Sequence, residues 1–443
     1  MTPNRRAIFG AAGLAGAALA LSPAQAAIAG GMLTGRDLGV EPNAARDQSG
    51  ALQRAVNEAS ARGGYLFLEP GLYIASGVRI GSSLNLTGVP GQTRLVQAGP
   101  DPVLMIEGAS GVRLEGLVID GQLRPSPSAL VEARSVRDLV ITSCLIANAA
   151  ANGINLTNCS GSVTSSTIDT CVSTALFSMG ARGLRIDGNL ITGMGDNGIL
   201  VWQPLQQNDG TIVTGNRIEK IEARSGGEGQ NGNGVNVYRA GNVLVANNRI
   251  SDCRFSAVRN NSGAGVQIIS NNCTGLGEVA LYSEFAMDGA VISSNMVDDA
   301  ADGISITNFN EGGRLAVCQG NMVRNLRLYD HPVDKRGNGI SAEADTVLNG
   351  NVIENAPTAG IWIGWGKYQR NVSATSNVIR DCGIGIAAQV AAGAGDALIA
   401  GNLISGARRG AILGMDHETV VTKDLANGTS APKTLSVSGN MVS

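Results

Sequence analysis

Residues 347–353 read Val-Leu-Asn-Gly-Asn-Val-Ile, and versions of this phrase recur along most of the chain. Asn351 holds a fixed place in it, and in most repeats an apolar pair follows that asparagine. The intervals between repeats are 27, 32, 23, 24, 26, 30, 26, 25 and 38 residues. A period in the twenties with variable excess is typical of a solenoid whose coils share a core and differ in loop length. The ten asparagines in this place are Asn189, Asn216, Asn248, Asn271, Asn295, Asn321, Asn351, Asn377, Asn402 and Asn440.

Within a repeat, apolar residues alternate over a short span, as in Gly153-Ile154-Asn155-Leu156 and Gly303-Ile304-Ser305-Ile306. This is the periodicity of a strand and not of a helix. Stacked coils pair each strand with its counterpart one rung along, which builds parallel sheets around a continuous core. The sequence therefore predicts an all-β protein, a right-handed parallel β-helix of about eleven or twelve rungs. Cys144 and Ser166 hold the asparagine's place upstream, so the repeat reaches back at least that far.

The asparagine column has a structural explanation. A short amide at a tight corner tolerates the left-handed backbone region and hydrogen-bonds to the next amide in the stack. Buried polar side chains are normally paired. We therefore expect these residues to support the fold and to take no part in chemistry.

Residues 41–90 differ in kind from the repeats. Residues 47–59 carry apolar positions at helical spacing, with Asp47 and Ser49 available as caps. Gly63-Gly64 follows, then a strand and a Pro-Gly-x-Tyr turn that ends at Tyr73. An amphipathic helix over the first rung is what a solenoid needs, because an open sheet end invites association.

The helix, double glycine, strand and turn resemble the N-terminal cap of the pectate-lyase-like β-helix superfamily, and the repeats extend the resemblance over almost the whole chain. The resemblance implies an N-terminal cap and first rungs at 27–95, and repeats with a C-terminal cap at 96–443. It also implies acidic polysaccharides as substrates and lyases, hydrolases or epimerases as activities. Fold alone does not give function.

The first 26 residues resemble a twin-arginine export signal. Arg5-Arg6 precedes an uncharged Ala/Gly/Leu segment that ends in the Ala-x-Ala site at residues 24–26. Such a leader predicts a periplasmic or secreted protein, and no other segment is apolar enough to cross a membrane. Without the two arginines the formal net charge changes from −3 to −5, which makes nucleic acid a poor partner.

The seven cysteines fit no complete disulfide framework, because their number is odd. Cys171, Cys253 and Cys382 each lie five residues after the repeated place, so we expect them to fill one inward column as small hydrophobic side chains.

Several motifs that would settle the activity within this superfamily are absent. Polygalacturonases of this fold carry Asn-Thr-Asp, Asp-Asp, Gly-His-Gly and Arg-Ile-Lys segments, whereas Asp298-Asp299 is the only aspartate pair here. Neither His331 nor His417 stands in a Gly-His-Gly, and residues 329–332 read Tyr-Asp-His-Pro where the mannuronan epimerases have Asp-Pro-His. The leader and the Asn-rich repeats together resemble exported β-helix repeat proteins of unassigned activity.

Two inserts predict a groove. Residues 222–234 and 324–339 both lengthen a rung just before the same phrase, Gly232-Asn233-Gly234 and Gly337-Asn338-Gly339. They therefore leave the helix at one corner, four rungs apart, or roughly 19 Å at the usual strand spacing. The strand after that corner is expected to form the groove floor. Its predicted outward residues are Trp202, Tyr238, Arg259, Tyr282, Glu284, Glu343 and Trp362, with Trp365 just beyond.

Exposed aromatic rings stack against sugars, so Trp202, Tyr238, Trp362 and Trp365, together with Arg336, are the predicted substrate-binding residues. Tyr282 and Arg259 stand in shifted phrases, which leaves an inward direction open for them. Polysaccharide is the expected partner, and the oligomeric state stays open.

Three hypotheses for the activity follow. A lyase or epimerase needs a cation for the uronate carboxylate and an acid or base at the sugar: Arg259, Lys335 and Arg336 are the candidate cations, and Tyr282 and His331 the candidate acid or base. A hydrolase needs two carboxylates, for which Glu284, Asp302 and Glu343 are available. The third is a non-catalytic binding or envelope-structural protein.

No cofactor is required by any of these hypotheses, but a Ca²⁺ site at Asp298, Asp299 and Asp302 is an alternative to simple turn chemistry.

Overall fold

The computed structural model describes residues 32–126, 128–227, 229–308, 312–331, 335–427 and 431–443. The leader predicted at 1–26 lies outside the described residues, as does part of each insert, at residues 228 and 332–334.

The fold is the predicted parallel β-helix, with about 13 turns. The stack continues upstream of the recognised repeats. In the parallel strand pairing, Leu117 and Thr93 take the place of Cys144 in the two preceding rungs. Those rungs lack the asparagine, which explains why the sequence predicted only about eleven or twelve rungs.

The α-helix of the described residues, Ser49–Ala61, covers the first rungs as predicted. Leu52, Ala55, Val56 and Ala59 form its buried face. At its start the Asp47 carboxylate accepts the Ser49 backbone N–H at 2.8 Å. Short 3₁₀ helices lie at Arg36–Leu38, Gly366–Tyr368 and Leu425–Asn427.

Most coils give one strand to each of three parallel sheets. The first sheet contains Leu33–Thr34, Tyr65–Phe67, Leu84–Thr87, Val112–Glu115, Leu139–Thr142, Gly161–Thr164, Arg185–Asp187, Ile212–Thr214, Leu244–Ala246, Ala264–Ile269, Asp288–Ser293, Arg314–Gln319, Ala344–Asn349, Arg370–Thr375, Ala397–Ala400 and Leu435–Ser438.

The second sheet follows the asparagine corner. It contains Gly71–Ala75, Thr93–Gln97, Leu117–Asp120, Leu145–Ala149, Thr167–Cys171, Leu190–Met194, Arg217–Ile221, Arg249–Cys253, Asn272–Glu284, Met296–Ile306, Met322–Arg324, Val352–Glu354, Val378–Arg380, Leu403–Ser405 and Met441–Val442.

The third sheet is the predicted groove floor. Asn272–Glu284 and Met296–Ile306 run through both the second and third sheets. The other third-sheet strands are Val78–Ile80, Leu104–Glu107, Ala129–Arg134, Asn152–Thr157, Thr174–Met179, Asn197–Asn208, Val235–Gly241, Val258–Asn261, Asn338–Ala342, Ala359–Ile363, Ile384–Gln389 and Ile412–Asp416, and Thr419–Val420 pairs antiparallel with the last of them.

The asparagine column forms a continuous hydrogen-bond ladder. In each rung the backbone N–H and the side-chain amide donate to the side-chain oxygen of the next asparagine, as from Asn295 to Asn321 at 3.0 Å for both bonds. The same amide also donates to a backbone carbonyl, Ile268 O at 2.9 Å. The predicted structural role of the column is thus confirmed.

The predicted backbone conformation of the ladder asparagines is wrong. The left-handed residue is the one before each asparagine, for example Ser294 with φ 57° and Gly320 with φ 62°. The corner bends at that preceding residue, which leaves the asparagine free to point inward and bond along the stack.

The corner that opens the third sheet is built differently. A Cβ added at Gly303 would lie within hard contact of the Gly339 carbonyl oxygen in the next rung. Such a contact cannot relax, because both partners are backbone atoms of paired strands. Glycine in this phrase therefore lets successive rungs approach closely.

The interior is one long hydrophobic core that runs through the stack. Cys171 and Cys253 lie in an inward column with Met194 and Ile221, as predicted. All seven cysteines fall in the described part of the chain, where each is a buried free thiol. No helix among the described residues is long and apolar enough to span a membrane.

Candidate functional site

The outer face of the third sheet carries two columns of side chains, because alternate residues of each strand point away from the core. The upstream column contains Phe177, Leu200, Asn236, Arg259, Tyr282, Ser305, Ser341 and Trp362. The downstream column contains Met179, Trp202, Tyr238, Asn261 and Glu284. Register therefore answers the question left open by the sequence: Arg259 and Tyr282 both point outward.

Aromatic rings occupy the N-terminal end of this face. Trp202 lies edge-on to Phe177, with ring centroids 5.3 Å apart, and its centroid is 5.4 Å from that of Tyr238. A first cavity of about 390 Å³ opens beside them. Trp202, Tyr238, Asn236 and Arg259 line it, together with Gly229 of the first insert.

Arg259 organises the middle of the face. Its guanidinium forms two bonds with the Glu284 carboxylate, Nε to Oε1 at 2.6 Å and Nη2 to Oε2 at 3.0 Å. Nη1 lies 3.3 Å from Glu278 Oε2, and the guanidinium carbon is 4.8 Å from the Tyr282 ring centroid. Asp302 lies one rung along, where it is paired in register with Val279. We call Arg259, Glu278, Tyr282, Glu284 and Asp302 the acidic centre.

Burial sets the protonation of the acidic centre. It raises the pKa of Glu278 from 4.5 to about 7, while the nearby Arg259 cation opposes that rise and Glu284 and Asp302 add to it. Burial also raises the pKa of Glu284, against the attraction of Arg259. The pKa of the Tyr282 hydroxyl is raised further above its ordinary value by burial and then by Glu284. Near neutral pH the site therefore holds one carboxyl group that can donate a proton.

Both inserts reach the acidic centre. Gly229 of the first insert lies against the Arg259 guanidinium, so closely that a side chain at this position would collide with it. Asp196 anchors this insert by accepting the Ser225 backbone N–H and hydroxyl, each at 2.8 Å. In the second insert Arg336 lies 3.8 Å from Asp302, which also accepts the Asn338 backbone N–H. The two inserts thus leave the same corner, as predicted, and flank the centre.

A second cavity, of about 670 Å³, lies on the C-terminal side of the acidic centre. Trp362, Trp365 and Tyr368 line it with the charged side chains of Lys335 and Glu343. Its lining also includes Arg336, Arg409 and Glu418. Trp365 packs edge-on against His417 at 5.3 Å, and Trp362 donates its indole N–H to Gly364 O at 3.0 Å. The ring of Trp362 is therefore held in a fixed orientation at the cavity wall.

The opposite wall of the groove was missed from the sequence. The strand Asn197–Asn208 has a bulge between Trp202 and Gln207, which carries the chain away from the core. Gln206 extends across the neighbouring rungs and donates to Ser262 O and Ala286 O, both at 2.9 Å.

The structure divides the predicted site residues among three places. Arg259, Tyr282 and Glu284 meet in the acidic centre. Trp202 and Tyr238 line the first cavity, while Lys335, Arg336, Glu343, Trp362 and Trp365 line the second. His331 is exposed and stacks on Tyr329, with centroids 5.5 Å apart, and it is not among the lining residues described for either cavity.

Glu278 is the candidate site residue that the sequence analysis overlooked. It lies at a corner, directly after Gly275-Leu276-Gly277, and not at an alternating strand position. The sequence did contain a signal for it: a charged residue that follows two closely spaced glycines and precedes the apolar run Val279-Ala280-Leu281.

The aspartates proposed for calcium have other partners. Asp299 is a left-handed turn residue with φ 62°, and Asp298 binds Arg324 at 2.7 Å. Within the described ranges no group of three or more His, Cys, Asp or Glu side chains is arranged to hold a metal ion.

Comparison with solved structures gives weak identity over nearly the whole chain. A GH87 alpha-1,3-glucanase catalytic unit from Streptomyces thermodiastaticus strain HF3-3 is 16% identical with TM-score 0.51, covering 94% of this chain and 69% of that one. A tailspike protein of E. coli bacteriophage HK620, in complex with a pentasaccharide, is 12% identical with TM-score 0.57, covering 94% and 79%. The N-terminal fragment of bacteriophage Phi29 gene product 12 is 14% identical with TM-score 0.52, covering 92% and 71%. At these identities the likeness shows the fold alone.

Sequence comparison identifies the family. No curated protein matches the chain. The sequence profile described as right handed beta helix region matches residues 103–227 and 205–368, which together make up more than half of the chain. The chain therefore belongs to the right-handed beta helix family.

Proposed function

We propose that this chain binds a polysaccharide along the outer face of the third sheet and hydrolyses it at the acidic centre. The observation that carries the proposal is the placement of Glu278 and Asp302 on neighbouring rungs, between two cavities lined by aromatic side chains. From Trp202 to Trp362 the face spans six rung spacings, or roughly 29 Å, which suits an extended chain of sugars. The glucanase and the tailspike with its pentasaccharide support the same ligand class.

The assignment of roles follows from protonation and contacts. Glu278, with its pKa raised to about 7, donates a proton to the leaving glycosidic oxygen. Asp302 is the second carboxylate, which either activates water or attacks the sugar. Glu284 is the most buried of the three carboxylates, with 1% of its side chain exposed against 6% for Asp302 and 14% for Glu278, and both of its oxygens accept from Arg259, so we assign it to positioning Arg259.

The same contacts weigh against β-elimination at this centre. Elimination from a uronate needs a cation available to the carboxylate of the sugar. Arg259 is already bound by Glu284 and lies beside Glu278, and the raised pKa of Tyr282 keeps that hydroxyl protonated, so the phenolate that would act as base is scarce near neutral pH. Lyase or epimerase activity remains the second candidate because Lys335 and Arg409 line the second cavity beside Trp362.

The test is a panel of neutral and uronic-acid polysaccharides offered to the purified protein, with products followed in two ways. Hydrolysis predicts new reducing ends without ultraviolet absorbance from unsaturated sugars. Glu278→Gln and Asp302→Asn should each lower the rate by about 100-fold or more. The matched control is Glu58→Gln on the capping helix, where Glu58 pairs with Arg62 far from the groove. Unsaturated products would contradict hydrolysis and support lyase activity, the second candidate. Retention of a glycan without turnover would show that the protein binds polysaccharide and does not cleave it.

Export by the twin-arginine leader to the periplasm or the medium belongs to the same proposal, because such substrates lie outside the cytoplasm. Replacing Arg5 and Arg6 together with Lys should keep the protein in the cytoplasm on cell fractionation. Full yield of the processed protein in the periplasm would contradict this assignment.

A further inference from the structure

An exposed apolar stripe follows the asparagine ladder in the C-terminal half of the molecule. The residue directly after each ladder asparagine points outward on the second sheet, and in six successive rungs it is apolar and more than a third exposed. In the three rungs before them the same place holds Arg217, Arg249 and Asn272. The apolar stripe contains Met296, Met322, Val352, Val378, Leu403 and Met441, which are 41%, 40%, 42%, 37%, 41% and 68% exposed.

The apolar stripe is large for a surface that meets only water. Six rungs span five strand spacings, or roughly 24 Å. Side chains in a row at this spacing form a continuous surface, and contiguous exposed apolar patches of this kind mark interaction sites. This face is separate from the groove, which lies on the third sheet.

A charged column runs beside the apolar stripe, two residues further along the same strands. It contains Asp298, Arg324, Glu354 and Arg380, so the sign of the charge alternates from rung to rung. Within one molecule Arg324 binds Asp298 at 2.7 Å and Arg380 binds Glu354 at 2.6 Å. Each pair remains partly exposed and able to take a second partner.

We propose that this face is the contact surface of an antiparallel dimer of the chain. A two-fold axis between the rungs of Asn321 and Asn351, perpendicular to the helix axis, reverses the order of rungs in the second copy. Met322 then faces Val352 of the second copy. Asp298 faces Arg380 of the second copy, and Arg324 faces Glu354, so all four members of the charged column meet an opposite charge.

Two features select this partner. The second copy has the same rung spacing as the first, so Met296, Met322, Val352 and Val378 stay in register with apolar counterparts, while Leu403 lies opposite Asn272 and Met441 opposite Arg249. A parallel dimer would instead turn each charged column toward the other side of the stripe, where the uncharged residues Ser294, Gly320, Gly350 and Ser376 stand, and the charges would lose water without gaining a partner. The contact is narrow, which places it in the small, reversible class of interfaces.

Directed cross-linking tests the orientation. Met296 and Val378 face each other across the proposed dimer, whereas each is about 14 Å from its own counterpart, three rungs away. Sheets packed face to face lie about 10 Å apart, beyond the roughly 7 Å between Cα atoms that a disulfide allows, so a short bifunctional thiol reagent is needed. With this reagent a mixture of the Met296→Cys and Val378→Cys proteins should form a cross-linked dimer efficiently, and neither protein alone should do so. The seven native thiols are buried, so they leave the readout clean. Efficient cross-linking of Met296→Cys alone would overturn the antiparallel arrangement.

Sedimentation tests the dimer itself. The native protein should sediment as a concentration-dependent dimer, and Met322→Lys should weaken the association by about tenfold or more, because two ammonium groups would meet near the axis. Arg217→Lys, at the equivalent outward place outside the apolar stripe, is the control and should leave the association unchanged. Unchanged melting of Met322→Lys would show that its fold is intact. A native protein that stays monomeric at about 100 μM would overturn the proposal, since interfaces of this class associate in the micromolar range.

Discussion

Two of the corners in each coil differ sharply. At the asparagine corner every rung from Asn189 to Asn440 repeats one hydrogen-bond arrangement, with the asparagine buried in nearly every rung. At the corner before the third sheet the residues vary, two rungs carry inserts, and Glu278 directly precedes Val279, the register partner of Asp302. A corner that repeats identically can only serve the stack, whereas a corner that varies can carry chemistry.

Removing the cation of the acidic centre should destabilise the protein most. Arg259→Ala leaves Glu284 buried without its partner, so we expect the free energy of unfolding to fall by about 3–5 kcal/mol. Arg259→Lys keeps the charge but loses the two parallel hydrogen bonds. Its free energy of unfolding should therefore lie between those of the native protein and of Arg259→Ala. Denaturant unfolding measures both, with the exposed Arg249→Ala as control. An Arg259→Ala protein as stable as the native one would show that the acidic centre is not a buried network.

Glu278 should make stability depend on pH. Its pKa is raised from 4.5 to about 7, so the folded state holds the proton more tightly than the unfolded state. This contribution is complete below the unfolded pKa of 4.5 and is lost as the pH rises through about 7. The loss should be on the order of 2–3 kcal/mol, and Glu278→Gln should lack it. Unfolding measured from pH 4 to 8 compares the two proteins, and the same pH dependence in both would contradict the shift.

Interrupting the asparagine ladder should cost stability and spare function. Asn295→Ala removes bonds to Asn321 and Ile268 O and leaves the amide of Asn271 without its acceptor. We expect a loss of about 1–3 kcal/mol. Asn272→Ala, exposed on the surface of the adjacent rung, should change the melting temperature little. If Asn295→Ala melted normally and lost turnover instead, the division between the two corners would fail.

Removing one aromatic ring from the groove should have the smallest effect. Trp202→Ala or Tyr238→Ala should weaken glycan binding by about tenfold, or 1–2 kcal/mol, because a stacking surface is lost. Lys423→Ala in the C-terminal region is the control, and affinity can be followed by calorimetry. Equal affinities for all three folded proteins would remove the ligand from this face.

The sequence predicted the fold well because one local rule is repeated in every rung. The ladder, the inward cysteines and the capping helix all follow from residues that act within a coil or on the adjacent one. The left-handed position was assigned to the wrong residue, since the spacing of Ser294 and Asn295 alone does not say which of them bends the corner.

The candidate site was predicted in outline only. Alternation along the strand identified Trp202 and Tyr238 as outward but left the direction of Arg259 open, and the pairing of Arg259 with Glu284 depends on the register between rungs, 25 residues apart. Glu278 lies at a corner, outside the alternating pattern. The wall made by Gln206 depends on a bulge, which has no strong signal in the sequence.

The pH dependence of kcat/KM on the glycan tests the central claim most directly, because it reports the ionisation of the free protein. Activity should fall as the pH rises through about 7, where Glu278 loses its proton. The residual activity of Glu278→Gln should lack this alkaline decline. A native profile that stays level well above pH 7, or a Glu278→Gln protein with the full native rate and profile, would contradict the assignment of Glu278 as the proton donor.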